Sequence, residues 1–203
     1  MKKKTTGLLF GSFNPVHIGH LALANYFLEF SDIDELCFVV SPHNPLKEED
    51  LLLPAAERLK MMLMAVEDVA GFSVSDVEFH LPKPSYTVDT LKFFSEKYPD
   101  DEFILITGED NLAIFDQWKD YRYILDHYKI YVYNRSGCSP SPFAQHPNVT
   151  LFHAPLLDVS SSFIRQAISE GKDMRFFLPE KVYDMGVYNK LHQKNNKSHS
   201  WGV

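Results

Sequence analysis

Short apolar runs alternate along this sequence with segments in which apolar residues recur at helical spacing. The predicted strands are Thr6–Phe10, Leu36–Val40, Phe72–Val77, Phe103–Thr107, Ile130–Tyr133 and Val149–Phe152. The predicted helices are Ile18–Phe30, one that Pro54 opens, Tyr86–Tyr98, and one capped by Ser160, Ser161 and Ser162. Strands that alternate with helices form a parallel sheet covered on both faces. The pattern therefore predicts an α/β fold with a doubly wound, mostly parallel sheet.

The length of 203 residues is room for one such domain. We expect a single domain over residues 1–191 and a polar, flexible tail over residues 192–203, because the tail has few apolar residues to bury. In the helix that Pro54 opens, Leu59, Met62, Leu63 and Val66 share one face, which we expect to point into the core.

Composition restricts the classes of partner. Lys and Arg number 20 against 27 Asp and Glu, a formal charge of −7, whereas proteins that hold nucleic acid by neutralising phosphates usually carry the opposite sign. Cys37 and Cys138 form no CxxC motif, which favours a reducing compartment. No window approaches 18 uninterrupted apolar residues. The sequence therefore predicts a soluble, cytoplasmic protein without nucleic-acid or membrane partners, and it leaves homo-oligomers open.

The segment Phe10–His20 links the first predicted strand to the first predicted helix. Ligands of parallel sheets bind beyond the carboxyl ends of the strands. Gly11 allows close approach of the backbone to a ligand, and His17 and His20 lie three residues apart, on one side of a first helical turn. A helix N-terminus attracts phosphate, to which two imidazoles can donate hydrogen bonds. The alternative is that one histidine caps the helix and the other is a surface residue.

Other phosphate-binding motifs are absent from the sequence. It contains no GxGxxG, and Gly171-Lys172 is followed by Asp173 rather than by Ser or Thr. A dinucleotide cofactor and a P-loop are therefore disfavoured.

Four segments together resemble a known family. The string Gly11-Ser12-Phe13-Asn14-Pro15-Val16-His17-Ile18-Gly19-His20 resembles the HxGH signature of the nucleotidylyltransferase superfamily. Pro84–Leu91, Gly108–Leu112 with Trp118, and Val159–Arg165 resemble segments of the bacterial nicotinate-nucleotide adenylyltransferase family. The resemblance covers residues 5–190 and implies a Rossmann-like nucleotidylyltransferase fold. Two departures are Asn14, where many members have Asp, and Pro45-Leu46-Lys47 in place of Pro-His-Lys.

The resemblance also implies a reaction and a set of site residues. ATP and nicotinate mononucleotide would give deamido-NAD and pyrophosphate, with Mg²⁺ carried by the ATP phosphates and no metal held by protein side chains. The implied catalytic residues are His17, His20, Lys47 and Arg165. The implied ATP-binding residues are Gly11, Ser12, Phe13, His17, His20, Gly108, Asp110, Arg135, Ser161 and Arg165. The implied mononucleotide-binding residues are Ser12, Asn44, Tyr86, Thr87 and Trp118.

Each assignment has a simpler alternative. Lys47 could be a solvated loop cation, Arg165 a surface charge and Asp110 a helix cap, while Tyr86 and Trp118 are also ordinary core residues. We expect no Lys or Arg beside the acceptor pocket, so backbone N–H groups would bind the nicotinate carboxylate.

Three other functions stay open. Phosphopantetheine adenylyltransferase has the same fold and reaction type, although His17 and the segment Ser85–Thr87 disfavour it. A nicotinamide-mononucleotide adenylyltransferase is hardly separable by sequence. A nucleotide-binding module without turnover is disfavoured, because binding alone does not require groups that stabilise a transition state.

Overall fold

The computed structural model describes residues 3–42, 52–138 and 141–186. Its strands are β1 (Thr5–Gly11), β2 (Glu35–Val40), β3 (Phe72–Ser75), β4 (Glu102–Gly108), β5 (Lys129–Tyr133) and β6 (Val149–Phe152). Its helices are α1 (Ile18–Phe30), α2 (Ala55–Val66), α3 (Thr87–Lys97), α4 (Glu109–Ala113), α5 (Tyr121–His127), α6 (Ser161–Ser169) and α7 (Glu180–Asp184). Asn44, Lys47 and the tail over residues 192–203 lie outside the described residues.

The six strands form one sheet in the order β3-β2-β1-β4-β5-β6, and every neighbouring pair is parallel. β1 lies between β2 and β4, so that Leu8 is in register with Cys37 on one side and with Leu105 on the other. The order runs outward from β1 in both directions, which makes the gap between β1 and β4 the topological switch point where ligands of such sheets bind. The predicted doubly wound fold is confirmed.

Each face of the sheet is covered by its own apolar cluster. Leu8 packs on the face that α3 and α5 cover through Leu91 and Ile124. The next residue, Leu9, packs on the opposite face with Phe27 of α1 and other residues of α2 and α6. Successive side chains of a strand point to opposite faces, so strands buried on both sides are continuous apolar runs in the sequence.

Several short elements differ from the prediction. α4, α5 and α7 were not predicted, because helices of 5 to 7 residues hold at most two turns and give little periodicity. The strand expected over Phe72–Val77 ends at Ser75, and Val77–Phe79 is a 3₁₀ turn. Among the described residues, no helix is long and apolar enough to cross a bilayer.

The buried face of α2 is rotated relative to the predicted face. Met62 and Val66 are buried as expected, but Leu63 is 49% exposed. Arg58 and Met61 complete the buried stripe instead. The prediction for Leu63 was wrong because a periodicity of apolar residues assigns an arginine to the solvent side, whereas Arg58 is fully buried.

Alanine substitution at two neighbouring positions of α2 tests this orientation. Met62→Ala removes a side chain without solvent exposure and is expected to lower the free energy of unfolding by roughly 2–5 kcal/mol. Leu63→Ala is expected to change it by less than about 1 kcal/mol. Urea denaturation of both variants measures the difference, and equal losses would contradict the orientation.

Candidate active site

A cleft of about 1050 Å³ opens beyond the carboxyl ends of β1 and β4. Its volume is at the upper end of the range for small-molecule sites. All the described residues that sequence analysis assigned to the site line this cleft, except Gly108, which comes directly before α4. The structure therefore brings together, at the switch point of the sheet, the residues that the sequence predicts to bind ATP and those that it predicts to bind the mononucleotide.

The turn after β1 forms one wall of the cleft. Phe13 adopts the left-handed backbone conformation, with φ of 46°. A Cβ atom on Gly11 would lie 2.8 Å from the Phe13 ring, so Gly11 has a packing role in addition to the access predicted from sequence. The side-chain carbonyl of Asn14 accepts a hydrogen bond from the Leu53 N–H at 3.0 Å. These contacts fix the turn that leads into α1.

The two histidines lie against each other at the start of α1. Their ring centroids are 3.7 Å apart and the rings are inclined by 28°. The backbone N–H of His17 donates to Nδ1 of His20 at 3.2 Å. Because Nδ1 of His20 accepts that bond, the proton of the neutral ring is on Nε2. A Cβ on Gly19 would lie 3.0 Å from the His17 ring, which explains the glycine between the two histidines.

His17 is electrically neutral at physiological pH. The side chain is buried, and burial lowers its pKa from 6.5 to about 4, with a smaller contribution from the positive charge of Arg135. A neutral imidazole has one N–H donor and one acceptor nitrogen. His17 can therefore donate a hydrogen bond to an anion without carrying a formal charge.

Three buried polar atoms at the cleft have no hydrogen-bond partner within the described part of the chain. They are Ser12 Oγ, His17 Nδ1 and Asn134 Oδ1, from three residues that all line the cleft. Buried polar atoms are nearly always paired in folded proteins. Their convergence on one cleft indicates a site for a polar ligand.

A charged pair lies where β4 and β5 end. Nε of Arg135 is 3.7 Å from Oδ1 of Asp110, and the Arg135 guanidinium lies 5.3 Å from the Tyr133 ring centroid. A Cβ on Gly108 would lie 2.3 Å from Oδ1 of Asp110, so any other residue there would displace this carboxylate from its present position. Gly108 therefore acts through the position of Asp110.

The first turn of α6 is bonded to the turn after β1. Arg165 donates to the Asn14 carbonyl at 2.8 Å and to Ser162 Oγ at 3.1 Å. Ser161 Oγ donates to the Pro15 carbonyl at 2.9 Å. Burial lowers the pKa of Arg165 from its usual value. Arg165 thus has a structural role that the sequence did not predict, in addition to its place in the cleft.

The acceptor-side residues are held by α3 and the segment after α4. Tyr86 immediately precedes α3, Thr87 is its first residue, and the Trp118 ring packs 5.1 Å from that of Phe115. Lys119 Nζ lies 4.7 Å from the Tyr86 ring centroid and 2.9 Å from Oδ2 of Asp89. The expectation that no Lys or Arg lies beside this pocket was wrong, because Lys119 directly follows Trp118 and lines the same cleft.

Sequence reasoning also missed two buried charged residues, Arg58 and Glu78. Arg58 has a signal in the sequence, since it lies at helical spacing from the apolar Met61 and Met62. Glu78 lies in a short 3₁₀ turn and has no such signal. Among the described residues, no group of three or more His, Cys, Asp or Glu could hold a metal ion.

Comparison with known proteins identifies relatives over most of the chain. Residues 8–167 match the family model described as Cytidylyltransferase-like. A protein of Flavobacterium johnsoniae named probable nicotinate-nucleotide adenylyltransferase is 46% identical over 190 residues, which cover 93% of this chain and 98% of that protein. A protein of Bacteroides fragilis with the same name is 49% identical over 183 residues, covering 90% and 91%.

A solved structure has the same fold at low sequence identity. The nicotinic acid mononucleotide adenylyltransferase of Plasmodium falciparum, complexed with NaAD, aligns with a TM-score of 0.76 and 18% identity over 92% of this chain and 98% of that one. At this identity the likeness concerns the fold alone.

The depressed pKa of His17 predicts a dependence of stability on pH. Above pH 6.5 the ring is neutral in both the folded and the unfolded protein, so His17 adds no pH dependence to the free energy of unfolding. As the pH falls from 6.5 towards 4, the unfolded state takes up a proton that the folded state does not, and stability decreases. Over this range the wild type should lose about 3 kcal/mol more than His17→Gln. Chemical denaturation at several pH values measures this, and parallel curves would contradict it.

Proposed function

The chain belongs to the cytidylyltransferase-like family, and from that premise we propose that it transfers the adenylyl group of ATP to nicotinate mononucleotide. The observation that carries the proposal is the stacked imidazole pair at the start of α1, at the switch point of the sheet. The names of the relatives from Flavobacterium and Bacteroides support the choice of substrates.

The reaction exchanges one P–O bond for another. An oxygen of the acceptor phosphate forms a bond to the α-phosphorus of ATP, and the bond from that phosphorus to the bridging oxygen of the β-phosphate breaks. The products are deamido-NAD and pyrophosphate. The attacking phosphate is already anionic at neutral pH, so it needs no strong general base. Catalysis therefore consists of positioning the two phosphates and stabilising the charge that moves to the leaving group.

The histidine pair would stabilise the charge that moves to the leaving group. His20 carries its proton on Nε2, since its Nδ1 accepts the His17 N–H. His17 is neutral, so it would donate a hydrogen bond rather than provide a charge. The unpaired N–H groups of the first turn of α1 add a partial positive charge at the same place. These donors would bind the ATP phosphates and stabilise negative charge as the α-phosphorus bond breaks.

Two arginines that line the same cleft would neutralise the phosphates together with the histidine pair. Arg165 would contact the leaving phosphates from α6, and Arg135 would approach from the end of β5. The Asp110 carboxylate, which Gly108 leaves room for, would accept hydrogen bonds from ribose hydroxyls. We keep Lys47 and Asn44 as proposed contacts on the basis of the family resemblance alone.

Mg²⁺ would enter with ATP. It prefers phosphate oxygens and water to a cage of protein ligands. Three carboxylates line the cleft, of which Asp110 is paired with Arg135 and Glu78 accepts from Ser85 and Thr90, while Asp158 is the third. Bound there, the ion would neutralise charge on the phosphates, and no described side chain needs to be its ligand.

The acceptor pocket would favour a carboxylate over an amide. At the start of α3 the Asp89 N–H donates to the Tyr86 carbonyl at 3.0 Å, whereas the N–H groups of Thr87 and Val88 precede the first intrahelical bond and are suited to carboxylate oxygens. The Lys119 ammonium adds a positive charge beside Tyr86 and can donate to a ligand while it retains its bond to Asp89. An amide would instead present its NH₂ group to these donors, which costs about 1–3 kcal/mol for an unpaired polar contact.

Purified protein with ATP and Mg²⁺ should release pyrophosphate when nicotinate mononucleotide is added. His17→Ala and His20→Ala should each lower kcat by roughly 10²-fold or more, the scale of losing one preorganised donor in a transition state. His127→Ala is the matched control, because His127 lies at the exposed end of α5, outside the cleft.

Two results would contradict this proposal. Wild-type kinetics in either histidine variant would show that the imidazole has no catalytic part. Turnover with phosphopantetheine and not with either pyridine mononucleotide would show that the acceptor is phosphopantetheine and not nicotinate mononucleotide.

The acceptor preference gives a second prediction. The wild type should prefer nicotinate to nicotinamide mononucleotide in kcat/KM by at least roughly tenfold. Lys119→Met should reduce that preference several-fold, mainly by raising KM for the nicotinate form. Lys129→Met removes a comparably exposed lysine that pairs with Glu102 at the N-terminal ends of β5 and β4, away from the cleft, and should leave the preference unchanged. An unaltered preference in Lys119→Met would assign the discrimination to backbone groups alone.

A further inference from the structure

Arg58 is a fully buried arginine whose bonds all go to main-chain carbonyls. It donates to the carbonyl oxygens of Leu53 at 3.0 Å, Ser12 at 2.6 Å, Ser41 at 2.7 Å and Pro42 at 2.6 Å. Burial lowers its pKa to about 10, which still leaves the side chain charged at neutral pH. One guanidinium thus joins the turn after β1, the end of β2 and the residue before Pro54.

Such a residue is costly for stability alone. Taking a cation out of water carries a penalty of several kcal/mol, and a buried charge is often replaced by an apolar side chain of similar size without loss of stability. The planar guanidinium presents five donors in a fixed arrangement, so it sets the relative positions of the carbonyls that it binds. The structure therefore indicates that Arg58 positions these segments.

Glu78 makes a corresponding set of contacts on the acceptor side. Glu78 is 3% exposed, and its carboxylate accepts hydrogen bonds from Ser85 Oγ and Thr90 Oγ1, both at 3.1 Å. Burial raises its pKa, and hydrogen bonds from Ser41, Thr90 and Ser85 oppose that rise. Ser85 immediately precedes Tyr86, and Thr90 is in the first turns of α3. Glu78 therefore holds the segment that we assign to the mononucleotide.

The two sets of contacts come together at Ser41, directly after β2. Its carbonyl accepts from Arg58 at 2.7 Å and its backbone N–H donates to the Gly11 carbonyl at 2.9 Å. Its hydroxyl is close enough to Glu78 to oppose the rise in the pKa of that carboxyl. Ser41 thus lies between the turn after β1 and the carboxylate that holds the start of α3.

We propose that Arg58 and Glu78 are positioning residues on either side of Ser41, and that they hold the ATP-side turn and the acceptor-side segment in the relative placement that direct adenylyl transfer requires. This inference rests on the proposed function. Neither residue needs to touch the reacting atoms. A misplacement of about 1 Å between reacting groups can cost on the order of 10²-fold in rate, so a fixed separation has a direct effect on turnover.

Separate measurement of KM for each substrate distinguishes the two residues. Arg58→Lys keeps the charge but lacks the geometry to reach four carbonyls, so it should lower kcat by roughly 10-fold or more and raise KM for ATP. Glu78→Gln keeps one acceptor oxygen but places an NH₂ group opposite a hydroxyl. It should raise KM for nicotinate mononucleotide by roughly 5-fold or more, with KM for ATP within about twofold of wild type.

Two further variants separate positioning from general destabilisation. Val66→Ala creates a cavity on the same buried face of α2, away from the cleft, and should lower the melting temperature with kinetic constants within about twofold of wild type. Ser85→Ala removes a single hydroxyl from Glu78 and should raise KM for the mononucleotide alone. It tests the acceptor half of the proposal even where Arg58→Lys does not fold.

The outcomes are distinct. The inference is overturned if the Arg58 and Glu78 variants resemble Val66→Ala, with lower melting temperatures and unchanged kinetic constants. It is equally overturned if Glu78→Gln and Ser85→Ala leave KM for the mononucleotide unchanged. Failure of the wild type to release pyrophosphate contradicts the proposed function instead. In that event calorimetry with ATP decides, because Arg58→Lys must still bind ATP more weakly than wild type, and equal dissociation constants overturn the inference.

Discussion

The site depends on the fixed conformation of the short turn between β1 and α1. Its main-chain carbonyls are bonded from two directions, by Arg58 of α2 to Ser12 and by Arg165 of α6 to Asn14. These bonds tie the turn to helices that are far apart in the sequence. Because the turn leads directly into α1, its placement also sets the orientation of His17 and His20 relative to the ends of β4 and β5.

The electrostatics of the cleft are local. The chain carries a formal charge of −7, yet the cleft contains Arg135, Arg165, two imidazoles and the N-terminus of α1. Burial keeps His17 neutral, so under the proposed function a large part of the favourable interaction with phosphate would come from oriented N–H groups rather than from net charge. Such donors need little reorganisation when charge shifts to the leaving group, which is the property that a direct transfer needs.

The sequence predicted the architecture because its signals were long or repeated. The central strands are continuous apolar runs, and the HxGH string lies between a strand and a helix. The sequence did not predict the helices of one or two turns, and it did not predict which charged residues are buried. The buried face of α2 differs from the predicted face because Arg58 is buried. Its burial depends on four carbonyls that come together only in the folded chain. The position of Lys119 beside Tyr86 could not be predicted from the sequence, because it depends on how the segment after α4 packs against α3.

In the proposed reaction the two substrates react directly, with no covalent intermediate on the protein. The stereochemistry at the α-phosphorus tests this most directly, with ATP that carries sulfur in place of one nonbridging α-oxygen in a single configuration. A direct in-line attack by the acceptor phosphate predicts inversion at phosphorus in the dinucleotide product. Retention of configuration would require two successive displacements through an adenylylated side chain, and it would contradict direct transfer between the substrates.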